Sequence, residues 1–177
     1  MAIKPTIYKI KISLSDFNRD YYDTLNITVA QHPSETIERM MVRILAYCIN
    51  VQEYLIFTKG LSAVDEPDVW ARTLDDQISL WIDVGEIAID RVKKATRQAS
   101  VVKIYCFNTK SDVWWKQIKE KMTQLKVSVF RFDWDNLKTL ASFAQRTMEI
   151  SISITGDSLY ISTESGECEV NCTTLQE

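Results

Sequence analysis

The stretch that decides the fold is ISLWIDVGEIAIDRVKKATRQASVVKIYCF, residues 78–107. Residues 78–84 alternate between two faces and end just after Asp83, which is the pattern of a β-strand. Residues 88–100 place apolar side chains at helical spacing. Residues 101–107 are almost continuously apolar, which is typical of a strand buried on both faces. A strand, a helix and a second strand in this order predict an α/β fold with helices against a sheet.

The flanking sequence extends the same architecture in both directions. Strand patterns predict further β-strands at residues 6–14, 21–30, 54–58, 69–71, 127–132, 148–154, 159–162 and 167–172. Helices are predicted to begin at the capping residues Ser34, Ser111 and Asp135. We therefore expect an α/β (α+β) fold with a mixed central sheet flanked by helices. An N-terminal hairpin and antiparallel C-terminal strands are added to it.

Size and composition set the class of protein. A chain of 177 residues predicts one domain, residues 1–177, with a substantial core. No apolar run approaches the ~20 residues of a membrane span, and no secretory h-region precedes the first strand, so we expect a cytoplasmic protein without membrane contact. The net charge of −3 argues against a uniformly basic coat but leaves room for a local basic groove, because lysines and arginines crowd residues 91–103. Cys48 and Cys106 lie in apolar patterns and are predicted core residues.

Two aspartates suggest an acidic site. Asp83 closes the strand at 78–84, and Asp68 stands at the start of a predicted neighbouring strand, so adjacent strands can bring the two carboxylates together. Mg²⁺ is commonly held by one or two carboxylates with waters and substrate phosphates. Two crowded carboxylates need a compensating cation, either a metal ion or a lysine. Taken alone, a carboxylate at the position of Asp83 more often faces solvent or caps a turn than binds a metal.

The helix after Asp83 carries candidate partners for this site. Arg91, Lys94 and Gln98 share one helical face, and Lys93 lies beside them. These lysines can reach a phosphate oxygen, and the alternative is a solvated basic face. Glu38, on the flank of the first helix, is a further candidate carboxylate, and the alternative for it is a salt bridge with Arg39 or Arg43.

The spacing of these residues resembles the core of the PD-(D/E)XK nucleases, which runs helix, three strands, helix, strand. Pro67-Asp68 matches the first half of that signature, and Asp83-Val84-Gly85 occupies the second half with glycine in place of the lysine. A second resemblance covers most of the chain. Five segments are similar to the bacterial YaeQ family: HPSETIERMMVRILAY (32–47), FTKGLSAVDEPDVW (57–70), LWIDVGE (80–86), DRVKKATRQA (90–99) and FAQRTMEI (143–150).

The resemblance implies a variant PD-(D/E)XK-like fold and a set of site residues. Asp68 and Asp83 correspond to metal ligands, and Glu38 and Glu66 are further acids of the same kind. Some members of that superfamily carry the lysine on the following helix, where Lys93 and Lys94 stand, and Lys94 is preferred. Gln98 resembles a glutamine that orients substrate or lysine in some relatives.

The leading functional hypothesis is a Mg²⁺- or Mn²⁺-dependent nuclease or phosphodiesterase that acts on DNA or RNA. Gly85 in place of the lysine keeps open whether the protein is an enzyme at all. The alternatives are a non-catalytic nucleic-acid- or protein-binding module that retains the nuclease fold, and a scaffold that acts through protein contacts alone.

Overall fold

The computed structural model describes residues 4–177 and begins with a long antiparallel hairpin. Strand β1, Thr6–Asp16, pairs with strand β2, Tyr21–Gln31, in the register Ile12 to Leu25. The side chains on one face of β1 are buried: Tyr8, Ile10, Ile12 and Leu14. The predicted alternation of this segment is confirmed.

The remaining elements follow the predicted order. Helix α1 leads to strands β3, β4 and β5, with a short 3-10 helix at Gly60–Ser62; the bounds are α1 Ile37–Ile49, β3 Leu55–Phe57, β4 Val69–Arg72 and β5 Ile78–Val84. Helix α2, strand β6, helix α3 and strand β7 come next, at Ile89–Gln98, Ala99–Cys106, Ser111–Met122 and Ser128–Phe132. Helix α4 and three strands complete the chain, at α4 Trp134–Ala141, β8 Thr147–Thr155, β9 Ser158–Thr163 and β10 Gly166–Gln176.

The strands form a ten-stranded mixed sheet in the order β2-β1-β8-β9-β10-β7-β6-β5-β4-β3. Three neighbouring pairs are parallel, namely β1 with β8, β5 with β6, and β6 with β7, and the others are antiparallel. Strands β8, β9 and β10 form an antiparallel meander. The mixed sheet with flanking helices, the N-terminal hairpin and the antiparallel C-terminal strands are as predicted.

Two hydrophobic cores cover opposite faces of strand β5. Leu80, Ile82 and Val84 join the larger core, which also contains buried side chains of α1, α4 and the hairpin. Trp81 joins the smaller core, in which α2 and α3 pack on β5, β6 and β7. Because both faces of β5 are covered towards its C-terminal end, the polar side chain of Asp83 is buried there.

Three predicted helix starts are shifted. Helix α1 is capped by Thr36, which accepts a hydrogen bond from the Arg39 N–H, and not by Ser34. Helix α4 is capped by Asp133 rather than Asp135. Ser111 is the first residue of α3 and not its cap. Within residues 4–177, no helix is long and apolar enough to cross a membrane.

Candidate functional site

Strand register brings Asp68 and Asp83 to the same point of the sheet. Val69 pairs with Ile82, and the Asp68 N–H donates to the Ile82 carbonyl at 3.0 Å, so Asp68 lies opposite Asp83 where β4 begins and β5 ends. The two residues are 4% and 3% exposed. A buried carboxylate needs hydrogen bonds and a balancing charge, because burial removes its hydration.

Arg91 of helix α2 provides that balance for Asp83. The guanidinium Nε and Nη2 donate to the two carboxylate oxygens at 3.0 and 3.1 Å, and the Trp81 indole N–H donates at 3.0 Å. The remaining Arg91 donors reach the carbonyls of Val64 and Glu66 at 2.7 and 3.0 Å. Arg91 therefore holds the loop before β4 against the end of β5.

Arg39 of helix α1 provides the balance for Asp68. Its Nη2 donates to Asp68 Oδ1 at 2.8 Å, while the Val84 N–H donates to Oδ2 at 2.8 Å. Burial raises the pKa of Asp68, Arg39 lowers it in part, and the neighbouring Asp83 raises it again. The two aspartates are thus electrostatically coupled, and each has an arginine of its own.

Arg39 is itself fixed by a buried network at the start of α1. Its Nη1 donates to Glu35 at 2.6 Å, and Arg43 donates to both oxygens of the same carboxylate at 2.8 and 2.6 Å. Arg43 also donates to the Ala30 carbonyl of β2 at 2.9 Å. The network links the hairpin to the acidic site, so Arg39 has little freedom to leave Asp68.

A pocket of about 360 Å³ opens beside the two aspartates. Its lining combines Arg39, Asp68 and Asp83–Ile87 with Arg91 and the loop that contains the 3-10 helix. Glu66 and Glu86 add two further carboxylates to the wall. For Glu86 the surroundings are unusual. Both of its oxygens are buried without a hydrogen bond of normal geometry, although Asn108 and Ser111 lie beside them. Burial raises the pKa of Glu86, and those two neighbours lower it in part.

A second pocket, of about 380 Å³, lies on strands β8 to β10. Three serines line it together with Tyr160, Ile161 and Cys168, and Glu167 is the carboxylate among its lining residues. Without paired acids or a cation, it lacks the charged groups from which a hydrolytic site is built. The pocket beside Asp68 and Asp83 is therefore the better candidate.

Backbone conformation explains the glycine at position 85. Gly85 has φ +118°, a value that L side chains rarely adopt, and its N–H donates to the Tyr105 carbonyl at 2.8 Å. A lysine at this position would strain the chain just where β5 leaves the sheet. The departure from the PD-(D/E)XK signature is thus built into the local backbone.

The other predicted site residues are dispersed. Lys93 and Gln98 are exposed, and Lys94 is exposed with its ammonium 3.8 Å from Asp65. None of these three lines the pocket. Glu66 does line it, whereas Glu38 lies half-buried in the first turn of α1 outside the lining. The structure brings together Asp68, Asp83 and Glu66, and it does not bring the helix lysines, Gln98 or Glu38 to them.

The donor set fits a divalent cation in type and number. Mg²⁺ needs only one or two protein carboxylates, and a carboxylate has about four lone-pair positions, of which Asp68 uses two and Asp83 three. In the described residues, no three Asp, Glu, Cys or His side chains converge at metal-binding distance. The ligand roles of Glu38 and Glu66 therefore stay predictions, and any ion at the aspartates competes with Arg39 and Arg91.

Two arginines belong to the candidate site although sequence reasoning did not place them there, namely Arg39 and Arg91. A compensating cation for the two aspartates was expected, but as a metal ion or a lysine, and the structure supplies Arg39 and Arg91 instead. Arg91 carried a usable signal, since it shares a helical face with Lys94. Arg39 carried only its position next to Glu38, and its partners are Glu35 and Asp68.

Fold and site together define an α/β protein with a large mixed sheet and a buried, arginine-paired aspartate couple at the end of a central strand. Comparison with known proteins shows which group of such proteins this is. The family model described as "YaeQ protein" matches residues 1–172. Two relatives, both described as "Uncharacterized protein YaeQ", come from Escherichia coli strain K12 and Salmonella typhi. They are 38% and 39% identical, each over 100% of this chain and 99% of the relative.

Solved structures agree with this assignment. The YaeQ protein from Xanthomonas axonopodis pv. citri superposes with a TM-score of 0.94 at 31% identity, covering 97% of this chain and 98% of that one. The YaeQ protein from Pseudomonas syringae gives 0.93 at 33% identity, covering 98% and 97%. The chain belongs to the YaeQ family.

Proposed function

We propose that the protein hydrolyses phosphodiester bonds in nucleic acid at the pocket formed by Asp68 and Asp83, with Mg²⁺ or Mn²⁺ as the bound ion. The observation that carries the proposal is the register of β4 and β5, which sets two buried carboxylates side by side at one pocket. The order α1, β3, β4, β5, α2, β6 supports it, because this is the element order of the PD-(D/E)XK core. Two carboxylates are the protein share of a typical Mg²⁺ site.

Each residue has a role in the proposal. Asp68 and Asp83 hold the ion, which when bound activates water and offsets the charge of a phosphodiester. Arg91 is a positioning residue, because it fixes both oxygens of Asp83 and the carbonyls of the adjoining loop. The proposed role of Lys94 is to contact the phosphate groups of a substrate beside the pocket, and Lys93 and Gln98 on the same helix share this role. Lys94 reaches them from an exposed position, where Asp65 is its nearest acid.

The direct test is cleavage of labelled DNA and RNA by the purified protein in Mg²⁺, in Mn²⁺ and in a chelator. We expect ion-dependent cleavage that Asp83→Asn and Asp68→Asn reduce by at least about 100-fold, since an essential electrostatic contact contributes on that order. The matched control is Asp157→Asn, an exposed aspartate in the turn between β8 and β9. Absence of cleavage with every ion, or cleavage unchanged by Asp83→Asn, contradicts the proposal.

The second candidate is a non-catalytic nucleic-acid- or protein-binding module. The observation behind it is the combination of Gly85 at φ +118° with lysines that stand outside the pocket. This alternative expects binding that is independent of Mg²⁺ and equal in the wild type and in Asp83→Asn. A strict requirement for the ion in binding counts against it.

A further inference from the structure

Positive charge is concentrated in one part of the chain. Residues 88–131 contain eleven lysines and arginines and three acidic residues, a formal charge of +8, whereas the whole chain carries −3. The remainder of the chain therefore carries −11. The small net charge of the whole chain is therefore the sum of a strongly basic segment and a strongly acidic remainder.

The fold collects these charges on a single layer. Helices α2 and α3 pack side by side on one face of β5, β6 and β7, through a core that includes Val92, Val102 and Met122. Their polar faces point away from the sheet. Six exposed cations lie on these two helices, and two more lie just before and after α3. We call these eight the basic helical surface: Lys93, Lys94, Arg97, Lys110, Lys116, Lys119, Lys121 and Lys126.

Little on this layer neutralises the basic helical surface. Residues 88–131 are all described, and of the eight cations only Lys94 has a carboxylate within 4 Å. Asp112, one of the three acids of the segment, is already paired with Arg131. Like charges held close together without partners repel one another, and this repulsion lowers stability slightly. A bound polyanion would reduce the repulsion, so its binding is favoured by the charge distribution of the free protein.

We propose that the basic helical surface binds the phosphate backbone of nucleic acid and leads it to the pocket beside Asp68 and Asp83. The choice of partner class rests on the proposed function. Helix α2 begins five residues after Val84, and its Arg91 contacts Asp83 directly, so the basic helical surface starts at the pocket. Helices of ten and twelve residues are about 15 and 18 Å long. That length meets several phosphates, since a duplex carries one charge per ~1.7 Å of its axis.

An anionic membrane is the competing polyanion, and the helices do not suit it. A helix that lies on a membrane needs an exposed apolar face. In α2 and α3, both fully described, the apolar side chains are turned to the sheet, and Val113 is the one large exposed apolar residue. The basic helical surface has charge without an inserting face, which is the character of a backbone-binding surface.

The test compares two triple variants in a chelator, where cleavage cannot interfere. Lys116→Gln, Lys119→Gln and Lys121→Gln together remove three charges from α3. Lys9→Gln, Lys11→Gln and Lys138→Gln remove three exposed lysines from elsewhere, with the same change in net charge. Binding of labelled single-stranded and duplex oligonucleotides is followed by fluorescence anisotropy across a salt series, and circular dichroism checks the fold of each variant.

The α3 variant is expected to bind at least about tenfold more weakly at low salt, and its slope of log K against log salt should fall by about 0.7–0.9 per lost phosphate contact. The control triple variant should bind within about twofold of the wild type. Equal binding by the two triple variants overturns the proposal. No binding to any oligonucleotide, or tighter binding to anionic phospholipid vesicles than to oligonucleotide at the same salt, overturns it as well.

A small substrate separates this proposal from the hydrolytic one. Bis(4-nitrophenyl) phosphate has no extended backbone, so its ion-dependent hydrolysis reports on Asp68 and Asp83 without the basic helical surface. If Asp83→Asn leaves that hydrolysis unchanged while the α3 variant loses oligonucleotide binding, the hydrolytic proposal fails and the binding proposal stands. If hydrolysis depends on Asp83 while both triple variants bind alike, the reverse holds.

Discussion

Asp83 is buried on a strand with protein on both faces, and among residues 4–177 the one cation in direct contact with it is Arg91. The arginine side chain is 32% exposed, whereas that of the aspartate is 4% exposed. Removal of the arginine leaves a buried carboxylate with the Trp81 N–H as its remaining side-chain donor. A charge-assisted hydrogen bond to a buried acid has a large effect on stability. If the bond is lost, the carboxylate stays buried and charged, and its desolvation is no longer offset by a partner.

Arg91→Ala is therefore expected to lower the free energy of unfolding by about 2 kcal/mol. Arg97→Ala, an exposed arginine on the same helix, should change it by less than ~0.5 kcal/mol. Urea unfolding followed by circular dichroism measures both. The double variant with Asp83→Asn should recover part of the loss, since the unpaired charge is gone. A loss that is the same for Arg91 and Arg97 contradicts the assignment.

Gly85 stands where the resemblance to the PD-(D/E)XK signature predicts a lysine, and substitution of this residue tests why glycine is there. Gly85→Lys restores the residue of the PD-(D/E)XK signature but forces a side chain onto φ +118°. We expect it to lower stability by about 1–3 kcal/mol without raising any hydrolytic activity. Gly85→Ala should lose a similar amount, because the strain lies in the backbone. Thermal unfolding of the two variants and the wild type measures these losses. A Gly85→Lys variant that is as stable as the wild type contradicts this explanation.

The positions of Asp68 and Asp83 were predictable because each ends or begins a strand, and neighbouring strands align their ends. The arginines were not predictable in the same way. Arg39 reaches Asp68 across 29 residues of sequence through a long side chain, and its direction depends on Glu35. Residue spacing fixes the side of a helix, whereas the partner of a flexible side chain depends on packing that sequence periodicity does not contain.

Helix starts were predicted within three residues, and at α1 and α4 the error is a choice between two neighbouring capping residues. Ser34 and Thr36 are both good capping residues, and the chain uses Thr36 because the Ser34 hydroxyl is engaged with His32 Nδ1 at 2.6 Å. Asp133 and Asp135 present the same ambiguity in α4. Capping preference identifies the type of residue, and the competing local hydrogen bonds select between neighbours.

Thr36→Ala should accordingly lower the free energy of unfolding by about 1 kcal/mol. Ser34→Ala should have a clearly smaller effect, since Ser34 lies outside the helix and is exposed. Chemical denaturation of the two variants side by side makes the comparison. If the free energy of unfolding falls equally in the two variants, or further in Ser34→Ala, Thr36 is not the residue that caps helix α1.

Glu86 connects the loop after β5 to the start of α3, and it gives the protein a pH-dependent element. Burial raises its folded-state pKa above the ordinary value of 4.5. The folded protein then binds more protons than the unfolded chain between 4.5 and the raised value, so this group makes stability fall as pH rises through that window.

Glu86→Gln removes the titration and should flatten the fall in melting temperature between pH 4.5 and neutral pH, the lower limit being the ordinary value of the group. At neutral pH the variant should be at least as stable as the wild type. Glu164→Gln, in the exposed turn between β9 and β10, serves as the control and should leave the profile unchanged. A variant whose profile matches that of the wild type shows that Glu86 is not desolvated.

The complete sheet was less predictable than its strands. Periodicity indicated the buried face of strands such as β1, β2 and β5, and it placed all ten strands close to their observed positions. It contained no information on partners that are distant in the chain, because strand pairs such as β1 with β8 and β10 with β7 are set by long-range packing. The antiparallel pairs β1 with β2, β4 with β5, β8 with β9 and β9 with β10 join strands that are consecutive in the chain, and such pairs are the ones that a local turn can specify.

The parallel pairing of β1 with β8 has a consequence for folding during synthesis on the ribosome. Lys9 of β1 pairs with Thr147 of β8, so the β1 edge of the N-terminal hairpin stays unpaired until a strand 138 residues later in the chain has been synthesised. At ~5–20 residues per second of synthesis, that delay is roughly 7–28 s. A two-stranded hairpin is marginal in water by itself, and its free edge is open to any other extended chain during this time. Strand β1 therefore has β2 as a neighbour early in synthesis, but it acquires its second neighbour, β8, only after six strands and four helices have been made in between.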